Sequence, residues 1–284
     1  DAQESRGLGD VYKRQMRHPN IVRLLDADEE ALPPYLVLEY VDGQPLSDFA
    51  TPDTLLPVPQ VLDIAFKCCN ALEYAYREGL VHRDIKPANL MLAHGGDVKL
   101  TDFGAALSLR SDATQLSGLV GSPSYMSPEQ VREQDLTHHS DMFSLAVVVY
   151  ELLTGRRPFD GDTDFATLYK ISNETPTRPS LLRASLPAHV DEVLLRALAK
   201  QPADRFATWA DFAQALLAAH RGLPRQKSQD TEAERFARLR ALPFFSDFHD
   251  VALWELMRLG SWRRLEQGTV LMRENTPGDS FCIL

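Results

Sequence analysis

The run His82-Arg83-Asp84-Ile85-Lys86-Pro87-Ala88-Asn89 sets a carboxylate, an ammonium and a carboxamide close together, and Asp102-Phe103-Gly104 follows after a short apolar stretch. Such a set suits transfer of a phosphoryl group to a hydroxyl, which demands little covalent participation by protein groups. It demands instead an aligned hydroxyl, neutralised phosphate charge and metal ions bridging phosphate oxygens. Asp84 can accept the hydroxyl proton, and Lys86 can sit beside the transferring group to offset the charge that develops there. Asn89 offers a neutral oxygen and Asp102 an anionic one, a pair of hard ligands suited to Mg²⁺. Gly104 then allows a sharp backbone turn.

These groups work only if the chain between them folds back on itself. LMLA at 90–93 and VKLT at 98–101 have the composition of short strands, and the HGGD between them holds two glycines for a tight reversal. A hairpin is therefore expected, returning Asp102 towards Asn89. Upstream, HPNIVRLLDA at 18–27 and YLVLEYVDG at 35–43 read as two apolar strands joined by an acidic, Pro-containing loop. Residues 58–78 carry Val61, Leu62, Ala65, Cys68, Leu72 and Ala75 at helical spacing, with Gly79 as the stop. After a polar, Ser-rich stretch at 108–124, helices are predicted over 140–154, 187–199 and 208–219. GLPRQKSQDT at 222–231 reads as a linker. Beyond it come helical stretches at 233–242 and 249–259, then three strand-like pieces within 262–284. No internal repeat is visible.

Composition sets the frame. With 284 residues, 44% of them hydrophobic, the chain can bury a large core, and its net charge of −10 gives no global positive field for nucleic acid or an anionic membrane. Three cysteines, two of them adjacent, make no disulfide framework, and the longest apolar stretch, around Leu145 to Leu153, is too short to cross a bilayer. A cytoplasmic protein with no nucleic-acid partner is expected. Residues 1–15 lack an apolar period, and DVYKRQ at 10–15 is what GAT GTG TAT AAG AGA CAG would encode. That codon run is similar to a transposon-end sequencing adapter, so residues 1–15 are expected to be a non-native segment.

The ordered motifs from 16 to 221 resemble the eukaryotic-type protein kinase family, in its bacterial-like serine/threonine branch. An isolated DFG or RD is weak evidence; HRDIKPAN, DFG, SPE at 127–129 and SDMFSLAVVVYELLTGRRPF in this order are specific. The resemblance implies an α+β, two-lobed kinase-like fold, ATP and Mg²⁺ as cofactors, and protein serines or threonines as substrates. It implies Asp84 as base, Lys86 and Asn89 beside it, and Asn89 with Asp102 as metal ligands. Leu38 would be the gatekeeper, the backbone of Glu39 and Val41 the adenine-binding hinge, and Leu46 and Met91 the floor under the base. Leu24, His82 and Phe103 would stack as an apolar spine, Glu129 would pair with Arg205, and Asp141 would brace the catalytic loop. Ser122 would bond the catalytic Asp and Lys. Arg83 beside Asp84 suggests control by a phosphate on the following loop, since a guanidinium holds a dianion bidentately. Thr114, Ser117, Ser122 and Ser124 are candidates for that site, Ser117 first among them.

The same resemblance predicts parts for which no residue can be assigned: a glycine-rich loop over the phosphates, a strand lysine and its helix glutamate. Counting back from His18 puts the glutamate near Gly9, and Lys13 has no claim to be the lysine. The small lobe is therefore expected to be incomplete and this chain to be inactive, its parent active. The alternative is a pseudokinase or signalling scaffold that binds partners without catalysis. Residues 233–284, through LPFFSDF and GTVLMRENTPGDSFCIL, resemble the opening of a cyclic nucleotide-binding domain. Gly268 and Pro277-Gly278-Asp279 supply turn chemistry for a β-roll. That resemblance implies a partial β-roll and regulation by cyclic AMP or GMP, although the sequence ends before the family's phosphate-binding cassette.

Overall fold

A computed structural model describes residues 16–28, 31–33, 35–103, 107–108, 123–221, 232–245 and 248–260. Strands occupy the first part of the chain: β1 (Leu24–Asp28), β2 (Tyr35–Leu38) and β3 (Gly43–Pro45). The long helix α1 (Val58–Arg77) follows, then β4 (Leu80–Val81), β5 (Leu90–Ala93), β6 (Val98–Leu100) and β7 (Leu107–Ser108). The rest is helical: α2 (Pro128–Val131), α3 (His138–Thr154), α4 (Asp164–Asn173), α5 (Pro179–Leu182), α6 (Ala188–Ala197) and α7 (Trp209–Arg221). Two further helices complete it, α8 (Glu232–Arg240) and α9 (Asp250–Leu259).

The core lies around α1 and α3. In α1, Val61, Leu62, Ala65, Cys68, Cys69, Leu72 and Ala75 are all buried, and the helix packs against α3 and α7. Both thiols are free and belong to the core, and burial pushes that of Cys68 up to about 12. Helix α3 is mostly apolar with no polar face, as suits a helix surrounded by others; all its residues from Ser140 to Thr154 are buried, the polar ones among them included. Its start is fixed by a capping box between Thr137 and Ser140, and it ends at Gly155 in the left-handed region, φ 71°. A side chain at Gly155 would meet the backbone of Pro52 at 2.6 Å, so two reasons converge on glycine there.

The predicted hairpin is present: β5 pairs antiparallel with β6, Leu90 opposite Leu100 and Leu92 opposite Val98. The predicted strand over 18–27 is only partly so. The chain turns at Pro19-Asn20, Ile21 bridges in parallel to Leu100, and β1 begins at Leu24, paired with β2. The physical reason is the outer edge of β6, whose backbone groups need partners. Asn20 supplies them: its carbonyl accepts from the Leu100 N–H at 2.8 Å, and its side-chain amide donates to the Val98 carbonyl at 2.8 Å. Likewise Gly43, read as the tail of the second strand, begins β3 and joins β5 on its other side, in the order β3-β5-β6.

Helix α4 and the pairing of β4 with β7 have no counterpart among the sequence expectations. The helices predicted over 233–242 and 249–259 appear as α8 and α9, while the strand-like pieces of 262–284 and the 1–15 segment lie outside the described residues. No described helix is long and apolar enough to cross a membrane.

Candidate active site

The loop from His82 to Asn89 runs between β4 and β5 and ends in a 3-10 turn, Pro87–Asn89, whose prolyl φ suits its first position. Asp141, at the start of α3 and buried, fixes the other end. Its two carboxylate oxygens accept from the backbone N–H groups of His82 and Arg83, at 2.7 and 2.8 Å. This holds Arg83 at φ 72°, a conformation costly for a residue with a Cβ. Burial raises the Asp141 pKa, opposed by the nearby His82 ring and by the two N–H donors.

Within the loop, Lys86 Nζ lies 2.6 Å from Asp84 Oδ2. Asn89 Nδ2 donates to the same Oδ2 at 3.0 Å and to the Asp84 carbonyl at 2.9 Å. The Asn89 carbonyl in turn accepts from the N–H and the hydroxyl of Thr101, at 2.9 and 3.2 Å. Thr101 directly follows β6, so the hairpin register sets Asn89 and Thr101 side by side and Asp102 one residue beyond. Asp102 has φ 58°, a second left-handed non-glycine residue, and is exposed. The structure thus brings Asp84, Lys86 and Asn89 into one bonded group, with the Asp102 backbone adjoining it.

His82 joins the loop to the segment that carries Asp102. Its Nε2 lies 3.0 Å from the Thr101 carbonyl, which can only accept, so Nε2 carries the proton. Its Nδ1 is then the acceptor facing the Asp84 N–H at 3.4 Å. The His82 ring lies 4.5 Å from that of Phe103, so two of the three predicted spine residues touch. Leu24, the third, stands opposite Leu38 in the β1–β2 register.

Of the residues assigned to the adenine, Leu38 is 41% exposed at the end of β2, and Leu46 is fully buried beside Pro45, which pairs with Met91. The Glu39 N–H is committed to the Arg23 carbonyl at 2.8 Å. Its carboxylate bonds the Lys99 ammonium and the Arg23 N–H. Burial opposes ionisation there, yet those bonds hold the Glu39 carboxyl below its ordinary pKa. Val41 is half-buried just ahead of β3.

Below the loop, Glu129 and Arg205 form a buried fork, Oε1 to Nη1 at 2.7 Å and Oε2 to Nη2 at 2.8 Å. Ser140 also donates to Glu129 at 2.8 Å. Burial alone would raise the Glu129 pKa, but the Arg205 bonds and charge leave it lowered. Ser127 caps α2, and with Gln130 it closes a capping box, while the Gln130 amide donates to the Arg83 carbonyl at 2.9 Å. Gly104, Thr114, Ser117 and Ser122 lie outside the described residues; Ser124 lies within them and bonds the Arg157 guanidinium.

Several supporting residues carry no sequence expectation: Asn20, Thr101, Gln130, Lys99 and Lys67. Only Asn20, in the HPN run, had a visible signal, a polar residue ahead of an apolar strand.

A family model described as the protein kinase domain matches residues 11–218. The chain belongs to the protein kinase family. It is 38% identical over 236 residues to the serine/threonine-protein kinase PknB of Mycolicibacterium smegmatis, covering 80% of this chain and 38% of that protein. The probable serine/threonine-protein kinase PknB of Bifidobacterium longum is 40% identical over 210 residues, covering 70% of this chain and 30% of that protein. PknB of Mycobacterium tuberculosis (strain H37Rv) is 37% identical over 228 residues, 78% of this chain and 36% of that protein. The kinase domain is thus of the bacterial serine/threonine type, and the chain spans less than two fifths of the length of these relatives. ATP and Mg²⁺ are the cofactors this family uses. Asn89 and Asp102 fit the metal in kind, for they offer an amide oxygen and a carboxylate of the hard type Mg²⁺ takes.

Proposed function

We propose that the protein transfers the γ-phosphoryl group of ATP to serine or threonine hydroxyls of protein substrates. The observation that carries this is the bonded group Asp84–Lys86–Asn89, tied to Thr101, the residue before Asp102. Among the described residues the bonds to the Asp84 carboxylate fall on Oδ2, which makes Oδ1 the atom to receive the hydroxyl proton. The Lys86 ammonium, 2.6 Å from Asp84 Oδ2, places positive charge beside the carboxylate, where it can offset charge that develops on the transferring group. Asn89 and Asp102 would hold the Mg²⁺, which when bound would supply neutralisation of the phosphate charge. Asp84→Asn in the full-length protein is expected to cut kcat at least about 100-fold, the scale of a lost general base, and to leave the thermal midpoint in place. Unchanged turnover in a radiolabelled-phosphate assay sinks the assignment. The pseudokinase reading predicts that outcome from an equally silent native protein.

Three finer readings belong with this proposal. No residue of the sequence is assigned to the glycine-rich loop, the strand lysine or its glutamate, so this chain by itself is expected to bind Mg²⁺-ATP poorly and turn over little. Calorimetric titration decides it, tight binding being the adverse result. The second reading is control by cyclic AMP or GMP through residues 233–284, supported by the LPFFSDF and GTVLMRENTPGDSFCIL resemblance. Assays of the full-length kinase with either nucleotide test it, and absence of both binding and effect rules it out. Control by loop phosphorylation is supported by Arg83: its Nε is buried without a hydrogen-bond partner among the described residues, and a phosphate would supply one. Ser117 is the first site to check by mass spectrometry.

A further inference from the structure

Residues 232–260 lie beyond the family match, yet they are not loosely attached to the kinase domain. Helices α8 and α9 are pinned into one unit by Arg240. Its Nη1 donates to the Phe248 carbonyl at 2.5 Å and to the Phe245 carbonyl at 3.4 Å, and its Nε stands 3.7 Å from Asp250. The inner face of this unit presents Phe236 and Trp254, stacked with ring centroids 4.8 Å apart. Both rings sit on Phe66 of α1, at 5.8 and 6.2 Å, and all three side chains are buried. Such aromatic contacts add to the burial of apolar area. The Trp254 indole N–H, also buried, has no acceptor among the described residues.

The position of Phe66 gives this seat a consequence. The next residue, Lys67, is 2% exposed, and its ammonium lies 3.1 Å from Asp97 and 3.3 Å from Asp63 of its own helix. Asp97 closes the β5–β6 turn, where its carbonyl accepts from the Ala93 N–H at 2.8 Å. That hairpin starts just after Asn89 and ends just before Thr101-Asp102. Adjacent residues of one helix thus hold the C-terminal unit on one side and the hairpin that presents both metal-ligand candidates on the other.

We propose that the α8–α9 unit is a docking element in cis, whose seating on Phe66 is transmitted through Lys67 and Asp97 to the hairpin bearing Asn89 and Asp102. A two-state seat of this kind is the physical requirement for coupling. It depends on neither cyclic-nucleotide binding nor kinase turnover, and its test uses neither.

The test is hydrogen exchange on the full chain, comparing the native protein with Trp254→Ala and with the milder Phe66→Leu. Exchange is expected to quicken about tenfold in α8–α9, and about threefold or more at the hairpin amides of Leu100 and Thr101, with α6 unchanged. In a Lys67→Met background, Trp254→Ala is expected to quicken α8–α9 alone, because the relay is already cut. The proposal is overturned if α8–α9 opens while the hairpin keeps its native rate. It is overturned equally if exchange rises to the same extent throughout, α6 included, in both variants, or if α8–α9 does not respond.

Discussion

His18 shows how far a single side chain can be decided by its surroundings. It is buried beside Tyr74, its ring accepts from the Asn20 N–H, and burial with the nearby Lys99 charge lowers its pKa to about 4. The folded protein therefore binds its proton less readily than the unfolded chain, where the value is 6.5. With the folded value depressed, stability is complete above pH 6.5 and falls as pH drops towards 4. Between pH 7 and 4.5 the loss from this group should be about 2 to 3 kcal/mol. Urea titrations of the native protein and His18→Gln at both pH values should show it as a flatter pH dependence in the variant. Equal slopes would mean that His18 is not buried neutral. In the loop from His82 to Asn89 and at Asp102, the candidate roles of Asp84, Lys86, Asn89 and Asp102 were legible because chemistry restricts which residues could serve. The brace from Asp141 could be named only through resemblance, since 56 residues separate it from Asp84 and spacing alone says nothing across that distance.

At the scale of elements, the hairpin and the long helices were legible because each announces itself locally, through turn glycines or an apolar period. Their partners were not. Strand β3 pairs with β5 although 44 residues separate Pro45 from Leu90 in sequence. The close approach of the two backbones falls on Gly43, where an added Cβ would lie 2.2 Å from the Leu92 carbonyl oxygen. Gly43→Ala is expected to cost about 1 to 3 kcal/mol, the scale of overpacking in a well-packed site. Chemical denaturation should read it out, with hydrogen exchange rising at β3 and β5 before the helices. A neutral substitution would show that β3 adjusts freely and does not fix the hairpin. The strand expected over 18–27 fails for a related reason: its first half serves the edge of β6, and a strand edge in need of partners leaves no mark on the sequence that comes to satisfy it.

Across the whole molecule, stability is concentrated in the helices. Tyr35, Leu36, Val37 and Leu38 of β2 are each more than 40% exposed. A two-stranded ribbon with both faces open contributes little. The helical part, by contrast, is tied end to end by Glu129 and Arg205, 76 residues apart and buried. Replacing Arg205 with Met is expected to cost about 3 to 5 kcal/mol, because Glu129 would be left as a buried charge without its cation, held by the Ser140 hydroxyl and its own backbone N–H. The double variant with Glu129→Leu should recover much of that loss. If the single change costs under about 1 kcal/mol in thermal denaturation, the fork is solvated and the estimate of its role fails.

What the sequence settled alone was local and chemical. Candidates for the base, its lysine and the two metal ligands could be proposed from residue type and from the family resemblance of the ordered motifs, and the helices could be read from buried faces that repeat along the chain. Only the tertiary structure decided how distant segments meet: Asn20 on β6, Asp141 under the loop, Lys67 on Asp97, Phe66 beneath Phe236 and Trp254. Those contacts join residues far apart in the chain, and their free energy comes from burying groups that no local pattern obliges to be neighbours.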